Sequence, residues 1–177
     1  MIIKDGSTGY SAEVSSYNRL LADSVEQTRI SFYAKKGKAY IWTAFQDWGA
    51  DKNAIWLRND SETEKLYIDK ISISPPATAT VEVYVGSGNT AGGTDVTGVN
   101  LNLSSNNVAN VTCKHTNTNV DTGTGMTLIA TFIFLAGYNN EIDLRDTPQL
   151  GKNDEIAINI VTDVSTTAVN IIGYFEE

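Results

Sequence analysis

The chain has 177 residues and a net charge of −8, from 21 acidic and 13 basic side chains, with one cysteine and one histidine. That acidity disfavours nucleic acid, whose binding is driven by Lys and Arg neutralising phosphates, and equally an anionic membrane surface. Cys113 alone rules out an internal disulfide framework, and with only His115 beside it a structural zinc site is disfavoured.

The length suits one domain, or one domain and an arm, able to bury about 70% of the surface its unfolded chain exposes. Thr, Asn and Gly are frequent and there are 3 Pro, a composition that suits pleated surfaces and turns. No basic segment followed by an apolar one opens the chain, so a cytosolic site of synthesis is expected.

Residues 1–27 are too polar and irregular for a core. They are expected to form an extended arm, able to reach roughly 90 Å at about 3.3 Å per residue. A sandwich then begins near Thr28, with Ile30 and Phe32 alternating as in a strand. Residues 35–38 make a turn, 39–45 a strand, 46–53 a loop containing Trp48, and 54–59 another strand. Leu66 and Ile68 share one parity while Ile71 and Ile73 share the other, which predicts a β-bulge near Asp69 and Lys70. Ala79, Val81, Val83 and Val85 form a clean inward series. Residues 86–98 read as a long loop, Val99, Leu101 and Leu103 as resumed alternation, 108–115 as a strand, and 116–125 as a polar loop.

Residues 126–136 are the longest apolar run. The run is too short for a bilayer span, and its β-branched residues between Gly125 and Gly137 favour a strand. Apolar side chains of both parities predict burial on both faces, and hence the central strand of the sheet. After it come a strand or loop at 141–150, a strand marked by Ile156, Ile158 and Ile160, and a closing strand. In that last strand either Val169 and Ile171, or Ala168, Ile172 and Tyr174, face the core. Eight or nine short strands punctuated by turns predict an all-β fold: an antiparallel β-sandwich, jelly-roll-like, over residues 28–177, with an extended N-terminal arm.

Catalytic sets are not visible. His115 is the one available base and reads as a solvated loop or strand-end histidine, and Cys113 as a small buried hydrophobe. The acidic residues sit mostly in turns, with no carboxylate pair fixed by spacing. Asp47, Asp51 and Asp121 are the places where calcium would be sought, although no known loop spacing is present. Trp42 and Trp56 lie in apolar strands and read as core. Trp48, placed in a loop, is the free aromatic candidate for stacking on a glycan or contacting a partner. No cofactor and no enzymatic activity are expected.

Several segments resemble virion proteins of tailed bacteriophages. The stretch Asp5-Gly6-Ser7-Thr8-Gly9-Tyr10-Ser11-Ala12-Glu13-Val14 with Asn18-Arg19-Leu20 looks like their glycine-rich opening, with Ser7 and Thr8 interrupting the glycine spacing. Ala54-Ile55-Trp56-Leu57-Arg58-Asn59, Leu66-Tyr67-Ile68, Thr97-Gly98-Val99-Asn100-Leu101-Asn102 and the closing Ile171-Ile172-Gly173-Tyr174-Phe175-Glu176-Glu177 are also similar. The resemblance implies a capsid decoration (cement) protein on the outer surface of the virion, assembled in the host cytoplasm. It would be a homo-trimer binding the major capsid protein, without nucleic acid or membrane. The arm would then supply the capsid contacts, with Ile2, Ile3, Tyr10, Arg19 and Leu20 as candidates. The alternative is a tail or fibre module that holds host-surface glycan through Trp48, or binds another virion protein.

Overall fold

The computed structural model describes residues 2–4, 11–14, 20–21, 28–50, 52–89, 92–115 and 125–177. Three short strands open the chain: β1 (Ile2–Lys4), β2 (Ser11–Val14) and β3 (Leu20–Leu21). One helix follows, α1 (Arg29–Lys35). The remaining elements are strands: β4 (Ala39–Trp48), β5 (Lys52–Asn59), β6 (Lys65–Ile73), β7 (Ala79–Ser87), β8 (Thr94–Asp95), β9 (Val99–Asn100), β10 (Val111–His115), β11 (Met126–Phe134), β12 (Asn140–Asp143), β13 (Gln149–Leu150), β14 (Asp154–Ile160) and β15 (Val164–Glu176).

The fold is an all-β sandwich. One sheet runs β11-β7-β14-β5-β10-β8 and the other β12-β6-β15-β4-β9, with β13 added on β6. All described pairings are antiparallel. Ile55, Leu57, Ile156, Ile158, Val81 and Val83 from the first sheet meet Trp42, Leu66, Ile68, Ile71, Ile73, Val169 and Ile171 from the second in one core cluster. The expected bulge lies in β6. Ile172 pairs with Lys70 and Gly173 with Ile68, so Asp69 is the extra residue. That single insertion lets Leu66 and Ile68, then Ile71 and Ile73, all face inward despite their opposite parities. In β15 the choice falls on Val169 and Ile171, with Phe175 continuing the inward series, while Tyr174 points outward beside Tyr67.

Four expectations are corrected. Residues 126–136 are not the central strand: β11 is an edge, paired with β7 alone in the main sheets. Ala130, Phe132 and Phe134 pack against the core, but Ile133 is 71% exposed and Leu128, Ile129 and Leu135 are exposed as well. An apolar composition on both faces shows that a strand seeks cover, not that its own chain supplies it. The central strands are β14 and β5, which are buried on both faces.

Residues 29–35 are helical rather than extended. Thr28 caps the helix, its hydroxyl accepting from the Ser31 N–H, and Gly37 at φ +68° ends it, with Gly37 and Lys38 donating to Ala34 and Tyr33 carbonyls. The expected 46–53 loop shrinks, because β4 runs on to Trp48 and β5 starts at Lys52. Past Val99–Asn100 there is no strand in 101–108. Instead, Asn side chains fold the backbone locally, Asn100 Oδ1 accepting from the Asn102 N–H and Asn102 Oδ1 from the Ser104 N–H.

Within the expected arm the described strands double back, β1 on β2 and β2 on β3, which shortens the straight reach expected of it. Residues 116–124 of the second polar loop lie outside the described residues.

Gly173 faces inward opposite Ile68, where an added Cβ would stand 2.6 Å from the Tyr67 carbonyl oxygen and 3.3 Å from Leu66 Cδ1. Backbone cannot yield as a flexible side chain does. Gly173→Ala is therefore expected to destabilise the sandwich by about 1–3 kcal/mol, read as a lower urea midpoint at unchanged m-value.

Candidate partner-binding surfaces

Trp48 is not a surface residue. It is the last residue of β4, fully buried, and its indole N–H donates to the Thr167 carbonyl at 3.1 Å. The His115 ring stands edge-on to it at 6.0 Å. Trp42, Ala44 and Trp48 face inward while Thr43, Phe45 and Asp47 are exposed. That period-two pattern runs through Asp47, and following it past the polar residues would have kept Trp48 in the core. Trp48 is thereby withdrawn as a glycan or partner contact.

Cys113 is buried, as expected, and burial together with nearby Asp95 pushes its thiol well above the ordinary range. Such a thiol is inert. His115 is half-buried rather than solvated, with Nδ1 lacking a hydrogen-bond partner. Of the carboxylates considered for calcium, Asp47 accepts from the Thr166 hydroxyl at 2.6 Å, and Asp51 and Asp121 lie outside the described residues. Among the described residues no three His, Cys, Asp or Glu side chains gather into a group able to hold a metal ion.

Sequence reasoning overlooked two clusters. On the face of the first sheet away from the core, Glu155 is fully buried. It accepts from the Trp56 indole N–H at 2.5 Å, from the Asn89 backbone N–H at 2.9 Å and from Asn89 Nδ2 at 2.5 Å. The Arg58 guanidinium lies 5.6 Å over the Trp56 ring. Three donors on one carboxylate pin β14 to the turn after β7, a structural role. The available signal was a lone acid beside the Ile156, Ile158 and Ile160 series.

On the outer face of the second sheet, Tyr33 of α1 stacks on Tyr174 at 4.5 Å, and Tyr174 on Tyr67 at 5.2 Å, all nearly parallel. The Tyr33 hydroxyl donates to Glu176 and Arg29 pairs with Asp146 at 3.5 Å. This stack anchors the helix.

Among the described strand pairings, the amino-terminal strands pair with one another. β1, β2 and β3 form a separate three-stranded sheet that shares no strand with the sandwich. Strands of two to four residues in so small a sheet have little stability of their own without a surface to pack on. Ile2, Ile3 and Leu20 lie in these strands, and Tyr10 and Arg19 lie outside the described residues.

Among the described residues the exposed large apolar side chains, apart from Phe32 and Phe45, fall in two uncharged stretches. One is β11 and the turn after it, with Leu128, Ile129, Ile133, Leu135 and Tyr138 exposed and no Asp, Glu, Lys or Arg from 122 to 140. The other spans 96–113, also without charge, where Val99, Leu101, Leu103 and Val108 are exposed. No family model, curated protein or solved structure matches the chain.

The tyrosine stack gives a pH dependence. Burial first, then the Glu176 carboxylate, pushes Tyr33 up to about 12, and burial likewise pushes Tyr174 up to about 12, against an ordinary 10. Above about pH 10 the unfolded chain releases these protons while the folded one keeps them. Stability present below about pH 10 is therefore lost as pH rises through about 12. Urea midpoints measured at about pH 9 and about pH 11.5 should fall, and the Tyr33→Phe, Tyr174→Phe double variant should show a shallower fall.

Proposed function

We propose that the protein is a structural virion component of a tailed phage, a decoration protein that cements the capsid from its outer surface by binding the major capsid protein. The observation that carries this reading is the amino-terminal sheet, whose strands, among the described residues, pair with one another and with no strand of the sandwich. Its small size calls for an external surface, and its residues include the stretch that resembles the opening of phage virion proteins. Binding to a shell would stabilise the folded protein by mass action. The sandwich supplies the contacts of a homo-trimer, and the non-enzymatic role accords with a Cys113 thiol held protonated by burial. The alternative, a glycan-holding tail module, loses its candidate residue with the burial of Trp48.

Removing residues 1–27 separates shell affinity from domain stability. Among the described residues the buried core begins at Ala39, so the truncated chain should keep its cooperative unfolding transition to within about 1 kcal/mol. Its affinity for capsids lacking the protein should fall at least about tenfold, equivalent to about 1.4 kcal/mol. Unchanged shell binding by the truncated chain contradicts the proposal that the arm makes the contact.

A further inference from the structure

We propose that copies of this chain associate head to tail, the β11 edge of one sandwich seated against the 96–113 side of the next. The contact extends the homo-oligomer part of the functional reading, and it is argued from the placement of the two uncharged stretches. β11 is one end of the first sheet and β12, joined to it by a short turn, is the same end of the second. β8 and β9, joined by residues 96–98, end the two sheets on the other side. The two apolar surfaces therefore lie at opposite lateral ends of one sandwich. An interface that uses two different patches is heterologous, and it closes into a ring when the rotation between copies permits.

Charge selects the partner. The chain carries −8, so most ways of bringing two copies together oppose like charges. The two stretches are where copies meet without that cost, and a strongly charged partner would find nothing there to pair with. Shape agrees with charge. The β11 end projects aliphatic side chains, Ile133 at 71% and Leu135 at 58% exposed. The opposite end holds a recess of about 280 Å³ whose apolar wall is Val96, Val108, Ala109, Val111 and Cys113 and whose rim carries Thr97, Thr112 and Asp95, the last paired with Lys114. An aliphatic side chain entering a recess walled in part by Val108, with Leu103 exposed on the same uncharged stretch, is the anchor-in-pocket arrangement typical of interface cores.

β11 runs nine residues without a charge or a proline, and its pairing with β7 is irregular between Leu128 and Ala130, which leaves Thr131 to Phe134 as a regular part of the edge. Self-pairing of two β11 edges would leave the 96–113 surface uncovered, whereas head-to-tail association covers both.

Two double variants at exposed positions test the contact without touching the core: Ile133→Asp with Leu135→Asp, and Leu103→Asp with Val108→Asp. Circular dichroism checks that each is folded. Masses are read by sedimentation equilibrium on the full-length chain without shells, so the result does not depend on capsid binding. The unsubstituted chain should assemble to a multiple of 19.2 kDa, three copies for the ring of the functional reading. Each variant alone should fall to one copy. An equimolar mixture, taken to about 100 times the concentration at which the unsubstituted chain assembles, should form dimers, because each variant retains one intact patch.

Three results overturn the proposal. One is an unsubstituted chain that stays monomeric. Another is a Leu103, Val108 variant that assembles like the unsubstituted chain while the Ile133, Leu135 variant does not, which is the signature of β11 self-pairing. The third is a mixture that remains monomeric throughout.

Discussion

Two sheets adhere only if each turns one continuous apolar face to the other, and in this chain that condition passes through the bulge at Asp69. Without the extra residue, β6 could bury either Leu66 and Ile68 or Ile71 and Ile73, but not both pairs. With it, four large aliphatic side chains are fully buried against β14 and β5. Full burial of each such side chain is worth about 1.5–3 kcal/mol, so half a strand out of phase would remove a large part of the net stability of a domain this size. Gly173 meets the bulge from β15, where its lack of a side chain admits the displaced Tyr67 carbonyl. The inward series of β15, from Val169 to Phe175, depends on that fit.

The sandwich was legible where alternation was clean. Val81 and Val83, Ile156 and Ile158, and the parity break at 69–70 each gave their face correctly, because a pleated strand allows one face per parity. Three misreadings share a cause. Trp48 was assigned to a loop because Gln46 and Asp47 are polar, yet polar residues at outward positions are what a half-exposed strand carries. Thr28 was taken into a strand because Ile30 and Phe32 alternate, whereas its hydroxyl caps a helix held from the other side by Tyr33 on Tyr174. The 126–136 run reads as central because apolar residues of both parities imply burial, but β11 stands at the sheet edge with its outer face exposed.

The polar clusters were illegible for a different reason. Glu155, Trp56 and Asn89 are far apart in sequence, and their bonds exist only once β14, β5 and the turn after β7 are adjacent. They fill the face of the first sheet away from the core with satisfied groups. Among the described residues, the features open to partners include a small amino-terminal sheet that shares no strand with the sandwich, and two uncharged ends. The functional reading divides these by chemistry, with the amino-terminal sheet turned to a shell and the neutral ends to copies of the same acidic chain.

The central claim is that the protein coats a capsid, and counting copies on shells tests it most directly. Purified protein would be mixed with capsids of the source phage that lack it, the shells pelleted, and the bound chains counted per shell. The account predicts saturable binding at a copy number set by the symmetry of the capsid lattice. Protein left wholly in the supernatant at saturating concentration, while folded and assembled, would contradict it.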